Sequence, residues 1–186
     1  QTVFRGVTYV FTGGNPISGL GNDFIRLTNS RILGIPVPVV ITIIVFAICV
    51  YLLTQTRYGR YIYAVGGNED SSRLSGISVN NVKNWAYIIS GATAAIAGII
   101  VTSRIGSAAP TAGNGYELDA IAAIVIGGAN LVGGEGTIFG TIIGVLIIGV
   151  LSNGLNLMDV SAFYQTIVKG LVILLAVLIE KKKATN

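Results

Sequence analysis

Histidine is absent from this chain of 186 residues, cysteine occurs once, and only 11% of the residues are charged. Without histidine there is no base for a nucleophile triad, and Cys49 alone, inside a long apolar run, supplies neither a disulfide nor a metal framework. No phosphate-cradling glycine loop with its lysine is found either. The chain is therefore read as holding no enzymatic centre, no cofactor and no metal. Scarce charge also excludes an ordinary water-soluble globule, because there is too little polar surface to cover one.

What is present is apolar. Hydrophobic residues make up 52% of the sequence, glycines number 25, and the mean hydropathy is +0.75. A bilayer core of roughly 30 Å takes about 20 apolar residues in a helix. Residues 37–55, VPVVITIIVFAICVYLLTQ, and residues 85–103, WAYIISGATAAIAGIIVTS, are uncharged runs of that length. Residues 137–153 form a third such run, and residues 161–179 a fourth, interrupted only by Lys169. Residues 120–132, AIAAIVIGGANLV, are shorter and contain a Gly-Gly pair. They either cross with help from their flanks or form a broken, partly re-entrant segment buried among neighbours. The opening TVFRGVTYVF reads as the outer end of a truncated helix. The expected fold is thus an all-α, polytopic integral membrane helical bundle with about five full spans plus that end, all one transmembrane domain.

If each run crosses, the loop 56–83 and the tail Lys181 to Lys183 share one side. That side holds Arg57, Arg60, Arg73, Lys83 and the three tail lysines, against Arg26, Arg31 and Arg104 opposite. The excess of bases marks the cytoplasm and predicts a cytoplasmic C-terminus. Bases sorted by membrane side, with a net charge of only +4, give no reason to expect nucleic acid as a partner.

The cytoplasmic loop contains a compact polar stretch, GGNEDSSRLSGISV, at residues 66–79. Asn68 suits a helix N-cap, Glu69 and Asp70 put negative charge in a first turn, Arg73 puts positive charge in a last turn, and Gly76 suits the left-handed residue that ends a helix. A short helix near residues 69–75 follows. Two turns are unstable alone in water, so it must pack on something. Leu74 and Ile77 are read as its exposed apolar residues, a small docking surface. Composition alone leaves open whether the stretch is an ordinary polar loop or a contact element for a soluble partner.

TRYGRYIYAVGGNEDSSRLSGISVNNVK, then AGII, PTAGNGYELDAIAAIVIGG, NGLNL, YQTIVK and ILLAVLIEKKK occur in this order along nearly the whole chain. The series closely resembles the C-terminal portion of the permease subunits of ribose-type ABC importers for monosaccharides. The resemblance implies a bacterial inner-membrane permease, paired with a second copy, that passes ribose or a related sugar inward. It also implies a separate cytoplasmic ATPase subunit, which binds the ATP, and an extracytoplasmic sugar-binding protein. By resemblance, Asn68, Glu69, Arg73, Leu74, Gly76 and Ile77 belong to the segment that couples to the ATPase. An ion-coupled secondary transporter, with Glu117 or Asp119 binding a proton or cation, is the alternative.

Two further patterns bear on mechanism. Gly136, Gly140 and Gly144 recur every four residues, which predicts one helical face for close helix packing. Polar residues at membrane depth are costly and usually face a bundle interior or water. Gln165 and Lys169 share a helical face. With Tyr164 they either line a route for hydroxyl-rich solutes, or Lys169 forms a buried pair, for example with Asp119. Asp119, Asn153 and Asn156 border the outer turns, where each is either a sugar contact or a cap or turn residue.

Overall fold

The computed structural model describes residues 2–184, with the side chains of residue 173 and of 175–184 excepted. The side chains of Lys181 to Lys183, on which part of the predicted orientation rests, therefore lie outside the described ones. The chain is helical and divides into two compact units, Gln1–Ile48 with Asn84–Asn114, and Cys49–Lys83 with Gly115–Asn186. Three of the described helices, α3 (Val37–Gln55), α6 (Val79–Ile105) and α8 (Ile138–Leu157), are long and apolar enough to cross a membrane.

The first unit begins with α1 (Thr2–Thr12) and α2 (Asn22–Asn29). A two-residue hairpin follows, β1 (Arg31–Ile32) paired with β2 (Ile35–Pro36). Its turn residues Leu33 and Gly34 have φ of 51° and 84°, the double positive φ that matches the twist of paired strands. Most of α3 follows, and none of its residues is buried in the chain, as suits a helix whose apolar surface is left for lipid. Thr28 of α2 and Ser103 of α6 are buried and share a hydroxyl hydrogen bond of 3.0 Å. Ser103 Oγ also lies 2.6 Å from the Phe24 carbonyl, to which it donates. Each polar group that is buried here thus has a partner, as the loss of water requires.

The second unit contains α4 (Arg57–Gly67), α5 (Glu69–Leu74), α7 (Tyr116–Ile126), α8 and α9 (Ala162–Ala184). Small residues set the α7–α8 contact. A Cβ on Gly140 would collide with the Gly127 carbonyl, and one on Gly144 with the Ala123 carbonyl. Ala122, Ala123 and Ile148 form the buried core between these helices, the close backbone approach that small side chains permit. Gly136, expected on the same helical face, instead lies in the turn before α8. Its φ is +153°, and a Cβ there would meet Ala129 at 2.9 Å. The period of four continues past the helix start, but Thr137 caps α8 by accepting from the Gly140 N–H at 3.0 Å, so Gly136 is outside it.

The apolar run 120–132 is not one helical segment. Its helix starts earlier, at Tyr116, and ends at Ile126. The Gly-Gly pair supplies the stop, with Gly128 at φ +79°, a conformation that glycine adopts without the Cβ penalty.

Candidate functional site

Two groupings in the second unit bring chemistry-bearing residues together. The first is the polar element of α4 and α5. Asn68 separates the two helices and serves both: its N–H donates to the Ala64 carbonyl at 3.0 Å, ending α4, and its Oδ1 accepts from the Ser71 N–H at 2.8 Å, starting α5. Gly76 and Ile77 close α5. The Gly76 N–H donates to the Arg73 carbonyl and the Ile77 N–H to the Ser72 carbonyl, both at 3.0 Å, with Gly76 at φ +81°. This is the paired 5→2 and 6→1 ending in which the residue after the glycine turns inward.

Ile77 accordingly packs against a buried cluster of Val65, Val79 and Val82, beside Tyr58 and Ile62. The expectation that Ile77 is an exposed docking residue is corrected by this geometry; the Gly-Ile pair after a short helix was the signal for it. Leu74 alone projects, at 90% exposure. Glu69 is bound by two bases, Lys83 at 2.5 Å and Arg73 at 3.3 Å. The Lys83 hydrogen bond holds the Glu69 carboxyl below the ordinary carboxylate range; burial opposes it, and the charges of Lys83 and Arg73 reinforce it. Tyr58 donates to the Val82 carbonyl at 3.1 Å, and burial raises its phenol above the ordinary 10.0. Nothing local in the sequence marks Tyr58, whose partner lies 24 positions away.

The second grouping lies among α7, α8 and α9. Lys169 Nζ is 2.8 Å from Asp119 Oδ1 and donates to Oδ2 at 2.9 Å, with the two side chains 19% and 25% exposed. One turn earlier on α9, Gln165 is buried and its Nε2 donates to Asn156 Oδ1 at 2.8 Å and to the Val160 carbonyl at 2.9 Å. Asp119, Asn156, Gln165 and Lys169 are therefore joined in two polar pairs. Tyr164 is 66% exposed, and Asn153 and Asn156 are both exposed on α8; of these three it is Asn156 that the Gln165 hydrogen bond ties in. Such pairing offsets much of what apolar surroundings cost these groups, although Asp119 Oδ1 is held by the ion pair and not by a hydrogen bond, and it fixes α9 against α7 and the end of α8.

Apolar helices with unburied hydrophobic surfaces, enclosing a few paired polar side chains, define a multi-pass integral membrane protein. Residues 2–177 match the family model described as the permease component of a branched-chain amino acid transport system, and the chain belongs to that family. It is 56% identical, over 99% of its length, to the Ribose import permease protein RbsC of Bacillus subtilis (strain 168). It is 53% identical over its whole length to the protein of the same name from Haemophilus influenzae. It is 44% identical over 97% of its length to the D-allose transport system permease protein AlsC of Escherichia coli K12. The chain spans 58%, 59% and 56% of these three relatives respectively. No solved structure matches it.

Proposed function

We propose that this chain is part of the permease subunit of an ATP-driven importer that passes ribose, or a closely related monosaccharide, into the cytoplasm. The observation that carries this reading is the 56% identity over 99% of the chain to a ribose import permease. The family description names branched-chain amino acids, but the curated relatives cited above are named for sugars, and the higher identities are to those named for ribose. ATP is hydrolysed on a separate soluble subunit, a sugar-binding protein delivers the solute from outside, and a second permease copy completes the membrane portion. In this reading α4, α5 and the C-terminal lysines face the cytoplasm of an inner membrane.

The geometry supports the division of labour. α5 is a two-turn polar helix between the apolar helices α3 and α6, held by caps and by the Val65, Val79 and Val82 cluster, and its exposed Leu74 is the side chain we assign to ATPase docking. Asp119, Asn156, Gln165 and Lys169 supply hydrogen-bonding groups for hydroxyl-rich solutes where water is scarce. In an ion-coupled transporter Asp119 would have to be available to a cation, but Lys169 already occupies it.

Vesicles containing the full-length permease and its partner subunits test the proposal. Labelled ribose is expected to accumulate when ATP is supplied and not when only an ion gradient is imposed. Accumulation driven by the gradient alone would overturn it.

A further inference from the structure

Four glycines of the second unit bring two loops together backbone to backbone. Gly66 and Gly67 end α4, and Gly133 and Gly134 lie in the turn between α7 and α8. A Cβ on Gly66 would sit 2.5 Å from the Gly134 nitrogen, one on Gly133 2.9 Å from the Gly66 carbonyl oxygen, and one on Gly134 2.7 Å from Gly67 Cα. Beside them the Tyr63 hydroxyl donates to the Gly136 carbonyl at 2.8 Å. No side chain stands between these strands of backbone, so no soft layer absorbs a displacement of one relative to the other.

The turn is in its own right firmly joined to what lies beyond it. Gly127 meets Gly140 and Ala123 meets Gly144 without room for a Cβ, and α7 holds Asp119 against Lys169. The contacts thus run without a break from the end of α4 to α7 and α8, and through α7 to the Asp119–Lys169 pair.

We infer that the contact of Gly66 and Gly67 with Gly133 and Gly134, pinned by Tyr63, is the joint through which the α4–α5 element positions the α7–α8 hairpin during transport. Tyr63, Gly66 and Gly134 act in it as positioning residues. The inference rests on the proposed role of α4 and α5 as the ATPase-docking element.

The test uses the full-length permease reconstituted in liposomes with its ATPase and sugar-binding protein, and reads labelled ribose taken up per ATP hydrolysed. Gly66→Ala introduces the Cβ that strikes Gly134, Tyr63→Phe removes only the hydroxyl, and Gly91→Ala, on α6 outside the joint, places a Cβ where nothing lies within 4 Å. Gly66→Ala is expected to keep the ATPase bound and hydrolysing while uptake per ATP falls about tenfold or more. Tyr63→Phe is expected to lower the ratio about threefold, and Gly91→Ala to leave it unchanged. A merely structural contact would lower uptake and hydrolysis in proportion and leave the ratio intact, and that result overturns the inference. So does a Gly66→Ala protein with the parent's ratio. A parent protein that neither retains the ATPase nor moves sugar with ATP removes the underlying reading, and the inference falls with it.

Discussion

Lys169 on α9 reaches Asp119 on α7 at 2.8 Å, a pairing of residues 50 positions apart that neutralises two charges in an otherwise apolar assembly. Removing one partner leaves the other charge uncompensated. Lys169→Met and Asp119→Leu are each expected to cost about 3 kcal/mol, the lower end of the range for a broken buried pair because both side chains retain some exposure. The double variant is expected to recover most of that loss. Thermal unfolding in detergent of the two singles and the double measures the coupling, and additive losses would show that the pair is not mutually dependent.

The glycine contact between α7 and α8 predicts a position-specific response along one helix. Gly144→Ala forces a methyl group onto the Ala123 carbonyl, while at Gly149 an added Cβ meets nothing within 4 Å. Overpacking of this kind costs about 1–3 kcal/mol. The same melting assay is expected to find Gly144→Ala clearly destabilised and Gly149→Ala close to the parent.

Leu74 and Ile77 are three positions apart yet predict opposite phenotypes. Leu74→Asp alters a projecting side chain, so it is expected to leave the melting temperature unchanged while abolishing retention of the ATPase on the immobilised permease. Ile77→Ala opens a gap beside Val65, Val79 and Val82. It is expected to cost roughly 1–2 kcal/mol, below the range for a fully buried isoleucine. A normal ATPase interaction in Leu74→Asp would remove α5 from the docking surface.

The depressed Glu69 carboxyl predicts a pH dependence of α5. Because its folded pKa lies below the ordinary 4.5, its contribution is present above pH 4.5 and is lost as the pH falls through the folded value. Amide hydrogen exchange across residues 69–76 is expected to accelerate beyond its intrinsic trend over that acidic window. Glu69→Gln, which cannot ionise, is expected to abolish the excess.

Several elements are legible from neighbouring residues alone. The uncharged run 37–55 coincides with α3, because an apolar segment in lipid must satisfy its own backbone groups as a helix. Asn68 and Gly76 bracket α5 as their side-chain chemistry and conformational freedom dictate. The boundary near residue 127 is harder to read, since hydrophobicity continues to Val132 while the Gly-Gly pair ends the helix at Ile126. Ile77 misleads for a related reason: its polar neighbours suggest exposure, whereas the helix ending turns it inward.

By itself the sequence determined the solvent, the helical character and the caps of α5, since these depend on composition and on contacts within about four residues. Tertiary structure alone decided that Gln165 is buried while Tyr164 is exposed, that Lys169 meets Asp119, and that Gly66 abuts Gly134. Those outcomes depend on how helices distant in the chain pack, and helical periodicity places a residue on a face without specifying what that face will meet.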